Sequence, residues 1–587
     1  MLFWIAFLSA IPLLILYLLE RTCYLRLRQY ACFPQLLPSL IWGHMKALDE
    51  VIREGDRRRH IDQVFLEIHE KLQVPPLFIV DLRPVLYSIR VVCSHEVAEQ
   101  ISRSSKAFPY SLPKGDVLAN FEPLIGARSI LSARGSEWKA LRKRFNAGFA
   151  PQHLMSLLPG ILDRVKCFTD ILDGHAESGE VFALDEPCIN LTFDIIGTVT
   201  MDTDLHAQAN PGAQSPIVTT FRQLVSLYRT SGSASWDQFK LRTKLQRWRL
   251  ARQLDAMLRQ HVQDHYYKWN TRSTPDRAAK NSRSVLALSF DGVEDLEETL
   301  LASTCDQLKT FLFAGHDTTS SLLQWAFYEL SRTPHALRAV RDELDEVLGR
   351  DTSPASIREQ LLSPRGESLL GRMSYTAATI KEALRLHPPA GTGRFVPHGT
   401  GFNVTLPDGQ TLCLDGMILH NCETIIQRDE KVYGVTKDAF VPERWLEHTN
   451  PHTTREFDSS LIVKGKHGSG NGIPASVWRP FERGPRNCIG QELVNLEAKI
   501  VLACMLRRFD FVKVGLGEVV RDSHGEPVMG EFGQYAVKEE LFNIMEVTGK
   551  PVDRTQMRVS FAKNSEIEQA RAELDLPAVS DVANERG

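Results

Sequence analysis

The chain has 587 residues, of which 43% are hydrophobic and 24% charged, and these are ordinary values for a globular protein. Lys and Arg total 69 against 72 Asp and Glu, and this balance excludes a strongly basic protein built to neutralise nucleic-acid phosphates. The 10 cysteines are too few and too scattered for a disulfide scaffold, with no C-x-x-C pair and no structural-zinc spacing. We therefore expect a large globular protein of a reducing compartment, without a nucleic-acid partner.

An apolar stretch opens the chain. It runs for 18 residues from Leu2 to Leu19, which is the short end for a membrane span and suits a thin membrane such as the endoplasmic reticulum. Arg21, Arg26 and Arg28 follow, so the positive-inside rule predicts that the remaining chain is cytosolic. A cleaved signal peptide fits poorly, because no basic cluster precedes the stretch and no small-residue cleavage site follows it. A buried core helix is the other alternative, and the lack of a polar face argues against it.

Helical periodicity dominates the rest of the chain. The helix-period segments are roughly 45–72, 94–105, 136–175, 216–230, 236–270, 292–332, 334–349, 373–387 and 490–508. Strand-like runs are short and lie at 77–81, 86–92, 401–405 and 410–414. Without a regular alternation of strands and helices, a doubly wound sheet or a TIM barrel is excluded, and the pattern predicts a mostly helical α+β fold with small β-sheets.

Four parts are predicted along the chain. They are a membrane anchor over 1–20, a proline-containing linker over 21–45, a single large domain over 46–562 and a flexible tail over 563–587. Inside the domain, the stretch 447–477 is rich in Gly, Ser, His and Thr and is expected to form an inserted surface loop.

Two helical segments carry polar residues that could contact a bound ligand. Trp138 and Arg142 lie one helical turn apart, for which basic surface pairing is the ordinary explanation. The run AGHDTT then places Gly315, Asp317 and Thr318 inside a long helix. Glycine weakens a helix and a threonine hydroxyl can bond back to the preceding turn, so a local opening can hold a water beside a ligand. A helix that is merely rich in Thr and Ser is the alternative.

A possible ion cluster follows. Glu382 and Arg385 stand three residues apart on one helix face and can pair, although an isolated surface pair contributes little to stability. Arg394 stands nine residues after Arg385. The segment FVPERW, from Phe440 to Trp445, supplies a further arginine at position 444.

The strongest local pattern is F-x-x-G-x-R-x-C-x-G, from Phe481 to Gly490, ahead of a helical run. Cys488 lies just before the helix N-terminus, where unpaired N–H groups and the helix dipole stabilise a negative sulfur. Arg486 can reach a carboxylate on a cofactor, and Phe481 can lie against a sulfur ligand. Gly484 and Gly490 let the backbone approach a flat cofactor closely. A buried cysteine in a turn is the alternative, and the intact ten-residue pattern argues against it.

The order and spacing of these motifs over roughly residues 34 to 560 resemble the cytochrome P450 family of haem-thiolate monooxygenases. The likeness is closest to fungal microsomal members that tailor secondary metabolites. The resemblance implies the cytochrome P450 fold and a haem b whose iron takes the Cys488 thiolate as axial ligand. It gives Asp317 and Thr318 the catalytic role of proton delivery to bound dioxygen. It also implies these cofactor-binding residues: Trp138, Arg142, Arg394, Phe481, Arg486 and Gly490.

The resemblance makes Glu382, Arg385 and Arg444 a buried structural cluster. The expected activity is insertion of one oxygen atom from O2 into a lipophilic small molecule, with electrons from NADPH–cytochrome P450 reductase, at the endoplasmic reticulum membrane. One alternative is the same fold acting as a reductase-independent isomerase or dehydratase, which would not need the Asp317–Thr318 pair. Another is a non-catalytic, membrane-tethered binder of haem or lipid. Apolar residues at 311, 313, 314 and 395 predict an apolar substrate cavity.

Overall fold

A computed structural model describes residues 2–228, 241–271, 284–446 and 472–562, and of residues 2–10, 116 and 117 it describes the backbone alone. The chain divides into two compact units. The first consists of Met1–Gly115, Gly391–Gln427 and Ser476–Arg486. The second consists of Asp116–Ala390, Arg428–Ala475 and Asn487–Gly587.

Helices make up most of the described structure, as the periodicity predicts. In the first unit the α-helices are Leu2–Cys23, Met45–Arg53, Ile61–Lys71, His95–Ser102 and Glu423–Ile426. In the second unit they are Glu122–Ile125, Gly135–Asn146, Pro151–Ser156, Leu158–Ser178, Asp185–Met201, Pro216–Ser226, Leu241–Asn270, Val285–Leu288, Glu298–Arg332, Pro334–Leu348, Pro354–Leu362, Gly366–Arg372, Ser374–Leu386, Glu430–Tyr433 and Gln491–Met505. Two of them recur below, namely the central helix (Glu298–Arg332) and the cysteine helix (Gln491–Met505).

The strands form small sheets, and the predicted mostly helical α+β class is confirmed. A four-stranded sheet of the first unit has the order Leu77–Asp81, Ser88–Val92, Ile418–Asn421, Thr392–Phe395, with one parallel pair between its middle strands. A hairpin of Asn403–Thr405 and Thr411–Cys413 accompanies it. The second unit has a three-stranded sheet of Phe182–Ala183, Gln556–Phe561 and Phe509–Lys513. It also has the C-terminal hairpin, formed by Asn543–Met545 and Gly549–Pro551.

The four-stranded sheet is buried on both faces. Because side chains alternate along a strand, Leu77 and Ile79 enter one apolar cluster while Phe78 and Val80 enter another. The edge strand therefore reads as an unbroken apolar run. That run was recognisable from the sequence, whereas Thr392–Phe395 and Ile418–Asn421 were not predicted as strands. Each of those two strands has only four residues and mixes polar with apolar side chains.

The central helix packs closely on the helix Asp185–Met201. The sequence predicted that Gly315 weakens the central helix, yet the helix runs without interruption from Glu298 to Arg332. A Cβ atom added at Gly315 would lie 2.7 Å from the Ile196 side chain, which is closer than non-bonded carbon atoms approach. Glycine at this position therefore permits two helices to approach each other.

The first helix continues directly into a π-helical segment, Tyr24–Arg28. The Arg26 guanidinium lies 2.6 Å from the Asp81 carboxylate and also donates to the carbonyls of Leu40, Ile41 and Arg83. Within the part of the chain whose side chains are described, no helix is long and apolar enough to cross a bilayer. Of the predicted surface loop 447–477, residues 447–471 lie outside the described residues, as does the predicted tail 563–587.

Candidate functional site

Cys488 precedes the cysteine helix by three residues, and its side chain is exposed. Gly490 is the N-cap of this helix, and no side chain caps the first turn. The free N–H groups and the helix dipole therefore favour a negative charge at the sulfur. A Cβ atom at Gly490 would lie 3.9 Å from Cys488 Sγ, so glycine leaves that side of the sulfur uncovered.

Arg142 holds the turn that carries the cysteine. Its guanidinium donates to the Asn487 carbonyl at 2.8 Å and to the Asn487 side-chain oxygen at 3.0 Å. Partial burial lowers the pKa of Arg142, and the neighbouring Cys488 thiolate opposes that effect. Trp138 is buried one turn earlier on the same helix. The two residues predicted from their spacing thus share the helix that supports the cysteine turn.

The residues just before the cysteine turn belong to the first unit. Phe481 and Arg486 are both buried there, and the Phe481 ring contacts Trp478 edge to face with centroids 5.8 Å apart. The sequence predicted that Gly484 lets the backbone approach a flat cofactor. That role stays a prediction; the structure gives a separate reason for the glycine, because Gly484 has φ +76° and a Cβ atom there would lie 2.1 Å from the Ser102 carbonyl oxygen. Its glycine is therefore required by backbone packing.

Buried cations gather in the first unit, around Arg394. This side chain is fully buried, and its Nη2 lies 3.9 Å from Glu482, while its Nε and Nη2 have no hydrogen-bond partner among the described residues. Burial, then the charges of Arg394 and Arg486, lower the pKa of Lys114 to about 7, although Glu482 opposes them. The sequence did not single out Lys114, since a lone lysine in a loop carries no signal. These cations fit an anionic group such as a carboxylate.

The central helix presents an open face in the second unit. Ala314 is exposed and Thr318 half-buried, although most neighbouring residues of this helix are buried. The Thr318 hydroxyl donates to the Ala314 carbonyl at 2.8 Å, so the predicted back-bond to the preceding turn is present. Phe313 faces the Phe121 ring at a centroid distance of 6.4 Å. The predicted pocket residue Phe311 is instead buried between Phe145 and Phe149.

Asp317 lies in a buried ion pair. Its Oδ1 lies 2.6 Å from Lys550 Nζ, and its Oδ2 accepts a hydrogen bond from the Thr548 hydroxyl. Burial opposes ionisation, but the charges of Lys550 and His316 outweigh it and lower the pKa of Asp317 to about 2. The carboxyl is therefore ionised at neutral pH and faces the protein interior. No local pattern in the sequence indicates Lys550 or Thr548, which lie far along the chain.

The predicted ion cluster forms as expected. Arg385 donates to both Glu382 oxygens at 2.8 and 2.9 Å, and Arg444 donates to one of them at 3.0 Å. The Trp445 indole and the Val441 amide complete the shell around the carboxylate. All three charged side chains are buried. Burial opposes ionisation of Glu382, but the two arginine charges outweigh it and lower its pKa to about 2.

One group of donor atoms with metal-ligand geometry occurs within the described residues, formed by Asp62, His420 and Cys422. His420 Nε2 is 2.8 Å from Asp62, so these two groups already satisfy each other. Burial raises the pKa of the Cys422 thiol well above its usual range. A neutral buried thiol of this kind contrasts with the exposed Cys488 at a helix N-terminus.

The residues fit a haem with a thiolate ligand. In the second unit, an exposed thiol lies at an uncapped helix N-terminus, an arginine adjoins it, and the central helix presents an open, mostly apolar face. In the first unit, the cations around Arg394, of which Arg394 itself has two nitrogen atoms without a hydrogen-bond partner among the described residues, match the carboxylates of such a group. The thiol and the open helix face of the second unit suit a flat iron-containing cofactor, and the cations of the first unit suit carboxylates of the kind that such a cofactor carries.

Comparisons with known proteins agree with this chemistry. The family model for cytochrome P450 matches residues 34–530. The chain is 30% identical over 499 residues to the cytochrome P450 monooxygenase acrF of Aspergillus aculeatus, covering 82% of this chain and 94% of that protein. It is 28% identical over 545 residues to the cytochrome P450 monooxygenase polC of Polytolypa hystricis, and the match covers 90% of this chain and 89% of that protein.

A third relative is the bifunctional cytochrome P450/NADPH–P450 reductase of Gibberella moniliformis. It is 34% identical over 216 residues, which cover 36% of this chain and 16% of that protein. The family match spans most of the chain, and the first relative aligns over nearly its whole length. This chain therefore belongs to the cytochrome P450 family of haem-thiolate monooxygenases.

Proposed function

We propose that this chain inserts one oxygen atom from O2 into a lipophilic small molecule, and that the Cys488 thiolate would hold the iron of its haem. The observation that carries the proposal is the exposed Cys488 thiol at the uncapped N-terminus of the cysteine helix, inside the ten-residue F-x-x-G-x-R-x-C-x-G pattern. The haem, when bound, supplies the activation of dioxygen. The chain's own residues bind it, keep the sulfur charged and deliver protons.

The cofactor-binding roles follow from position and charge. We assign Arg486, Arg394 and Lys114 to the haem carboxylates, because these cations are buried or half-buried and Arg394 has unused donors. Arg142 and Trp138 support the cysteine turn, and Arg142 adds a positive charge near the sulfur. Phe481 and Gly490 flank Cys488 in the sequence, with Phe481 seven residues before it and Gly490 two residues after it.

The catalytic pair is Asp317 and Thr318. The Thr318 hydroxyl lies on the open face of the central helix and is already oriented by the Ala314 carbonyl. Asp317 is the nearest acid on the same helix, and we assign it the relay of protons from solvent toward Thr318. An isomerase or dehydratase would need neither group, so this pair supports oxygen insertion.

The substrate class rests on the apolar face. Ala314 and Phe313 lie beside an aromatic cluster in which Phe121 stacks on Tyr228 with ring centroids 5.4 Å apart. An apolar surface of this kind accommodates a lipophilic molecule. The relatives from Aspergillus aculeatus and Polytolypa hystricis are fungal monooxygenases, which supports a fungal secondary metabolite as substrate. The name of the Gibberella moniliformis relative joins a P450 to an NADPH–P450 reductase, and we infer the same electron source here.

One isotope experiment tests the proposal. The protein is reconstituted with NADPH–cytochrome P450 reductase and incubated with a panel of lipophilic compounds under oxygen-18. We expect NADPH-dependent consumption of one compound and one labelled oxygen atom in its product. A product that forms without NADPH and carries no label would instead establish an isomerase or dehydratase. A retained haem with no turnover of any compound would favour the non-catalytic binder.

We also propose that the first helix anchors the protein in the endoplasmic reticulum membrane, with the catalytic part cytosolic. Supporting this, the large apolar side chains from Ile11 to Leu19 are exposed in the structure, Leu13 by 67%. An exposed apolar helix favours a lipid environment over water. The arginines after it predict the orientation.

Removal of residues 1–23 should release the protein from membranes without detergent. The truncation ends before Arg26, because that residue bonds Asp81 and three carbonyls and is needed for the fold. We expect the full chain to pellet with membranes and the truncated chain to remain largely in the supernatant. The distribution after ultracentrifugation measures this. A truncated protein that still needs detergent would contradict the assignment of the anchor.

Replacing Thr318 with alanine should uncouple oxygen consumption from product formation. Loss of one preorganised hydrogen bond can lower the productive step by about 10²-fold, so peroxide per NADPH should rise as product falls. Haem content should stay normal, because alanine has the better helix propensity. The assay follows NADPH, peroxide and product together.

The neighbouring threonine provides a matched control. Thr319 lies on the same helix, but its hydroxyl is buried and has no hydrogen-bond partner among the described residues. Thr319→Ala should therefore keep wild-type coupling, and Thr318→Ser should restore most of it. Equal coupling in Thr318→Ala and Thr319→Ala would show that Thr318 does not act at the bound oxygen.

A further inference from the structure

A buried ionic cluster connects the catalytic acid to a strand near the C-terminus. Lys550 lies on the C-terminal hairpin, and its Nζ is 2.6 Å from Asp317 and 3.3 Å from Asp185. The side chains of all three residues are only 4% exposed. One buried cation thus serves two buried carboxylates from two different helices.

The second carboxylate is itself fixed in place. The Gln324 amide donates to Asp185 Oδ1 at 2.9 Å, and the Thr555 hydroxyl donates to Gln324 at 2.9 Å. On its outer side, Asp185 lies 3.9 Å from Arg554, whose side chain is 53% exposed. The cluster therefore runs from the central helix to the surface of the second unit, with Lys550 in the middle.

The hairpin is attached to the central helix beside this cluster. The Ser321 hydroxyl, one turn after Asp317, donates to the Gly549 carbonyl at 2.7 Å, and Thr548 donates to Asp317. Gly549 and Lys550 are both buried. Adjacent residues of a helix point about 100° apart, so the side of Asp317 that meets the hairpin differs from the open side where Thr318 lies.

We propose that Lys550 is a positioning residue that holds the Asp317 carboxylate ionised and turned away from Thr318, so that this ion pair must open before Asp317 acts. The inference rests on the proposed role of Asp317. Asp185 keeps Lys550 in place when the pair opens, because it offers the ammonium a second carboxylate. The C-terminal hairpin thereby sets how readily protons reach the reacting oxygen.

Other charged and titratable groups face this cluster, and they bear on its pH dependence. Burial lowers the pKa of His316 to about 4, and burial raises that of Cys188 well above its usual range, so both are neutral near pH 7. The remaining groups that face the cluster are Asp185, Arg554 and Arg222. Loss of the Lys550 charge leaves burial of Asp317 without its main offset, which raises the pKa of that carboxyl.

The test compares Lys550→Gln with Lys550→Arg, Asp317→Asn and the double variant Asp317→Asn/Lys550→Gln. A matched control is Lys513→Gln, which removes another buried lysine paired with an aspartate, Asp553, in the neighbouring sheet. The first readout is the melting temperature of the haem-loaded protein at two pH values. The second is peroxide formed per NADPH oxidised with NADPH–cytochrome P450 reductase and no added substrate, across the same pH range.

For Lys550→Gln we expect a loss of melting temperature that is larger at about pH 8 than at about pH 5, because ionising the unpaired Asp317 is unfavourable. The melting temperature of the double variant should fall by less than that of Lys550→Gln, and the loss should be the same at both pH values. Peroxide per NADPH should change by about threefold between pH 6 and pH 8.5 in Lys550→Gln, and stay nearly constant in wild type, Lys550→Arg and Lys513→Gln.

Two results would overturn the proposal in different ways. If Asp317→Asn raises peroxide but Lys550→Gln leaves both the peroxide ratio and its pH profile unchanged, Lys550 does not position the acid and the proposed catalytic role of Asp317 stands. If Asp317→Asn leaves the peroxide ratio at the wild-type value, the catalytic role itself fails and the inference fails with it.

Discussion

Replacement of Cys488 by serine is expected to abolish the spectroscopic signature of a thiolate-ligated haem. The reduced wild-type protein with carbon monoxide should show the strongly red-shifted Soret band of such haems, and the Cys488→Ser variant should lack it. Serine keeps the size of the side chain but offers an alcohol of high pKa where the helix N-terminus stabilises a thiolate. Monooxygenase activity should fall to background.

A second cysteine provides the control for this substitution. Cys422 is buried in the group with Asp62 and His420, and within the described part of the chain it is the only cysteine that belongs to a cluster of three potential metal ligands. Cys422→Ser should keep the red-shifted band. A band that survives in Cys488→Ser and disappears in Cys422→Ser would move the haem ligand to Cys422 and refute the assignment.

Replacement of Glu382 by glutamine should destabilise the fold by about 3–5 kcal/mol, because it leaves Arg385 and Arg444 buried without their carboxylate. Haem retention should fall in parallel, since the cluster lies in the same unit as the cysteine helix. Denaturant unfolding of the variant measures the loss. Glu346→Gln is a matched surface control, because it removes the partner of Arg372 in an ion pair whose two side chains are about half exposed. It should lower the free energy of unfolding by about 0–1 kcal/mol.

The same cluster predicts acid sensitivity. Because the folded-state pKa of Glu382 is about 2 and its ordinary value is 4.5, its contribution to stability is fully present above about pH 4.5. That contribution is lost as the pH falls toward 2. Glu382→Gln should therefore unfold with a weaker pH dependence than wild type in this window. A variant as stable as wild type at neutral pH would show that the two arginines do not depend on this carboxylate.

The sequence predicted features whose partners are close in the chain or follow a repeating pattern. Glu382 and Arg385 are three residues apart on one helix, and their pairing was predictable from that spacing. The cysteine pattern lies within ten residues, so its position before a helix was also predictable.

The remaining parts depend on contacts between distant segments. Thr548 lies 231 residues after Asp317, and nothing in either local sequence indicates that they meet. The strand Ile418–Asn421 pairs with Ser88–Val92, which lies more than 300 residues earlier in the sequence. Its own four residues show no clear alternation of polar and apolar residue types. The packing that requires Gly315 and Gly484 was likewise not predictable, because their close neighbours Ile196 and Ser102 come near only in the folded chain.

The bonds of Arg26 determine how the proposed membrane anchor is joined to the segments that follow it. Its guanidinium ties the segment just after the first helix to Asp81 and to the carbonyls of Leu40, Ile41 and Arg83, all within the first unit. Only two residues separate the end of that helix at Cys23 from this clamp. The helix is therefore held closely to the rest of the first unit, in contrast to a helix on a long flexible tether. Under the proposed membrane anchorage, a tilt of this helix would therefore also tilt the segment around Asp81.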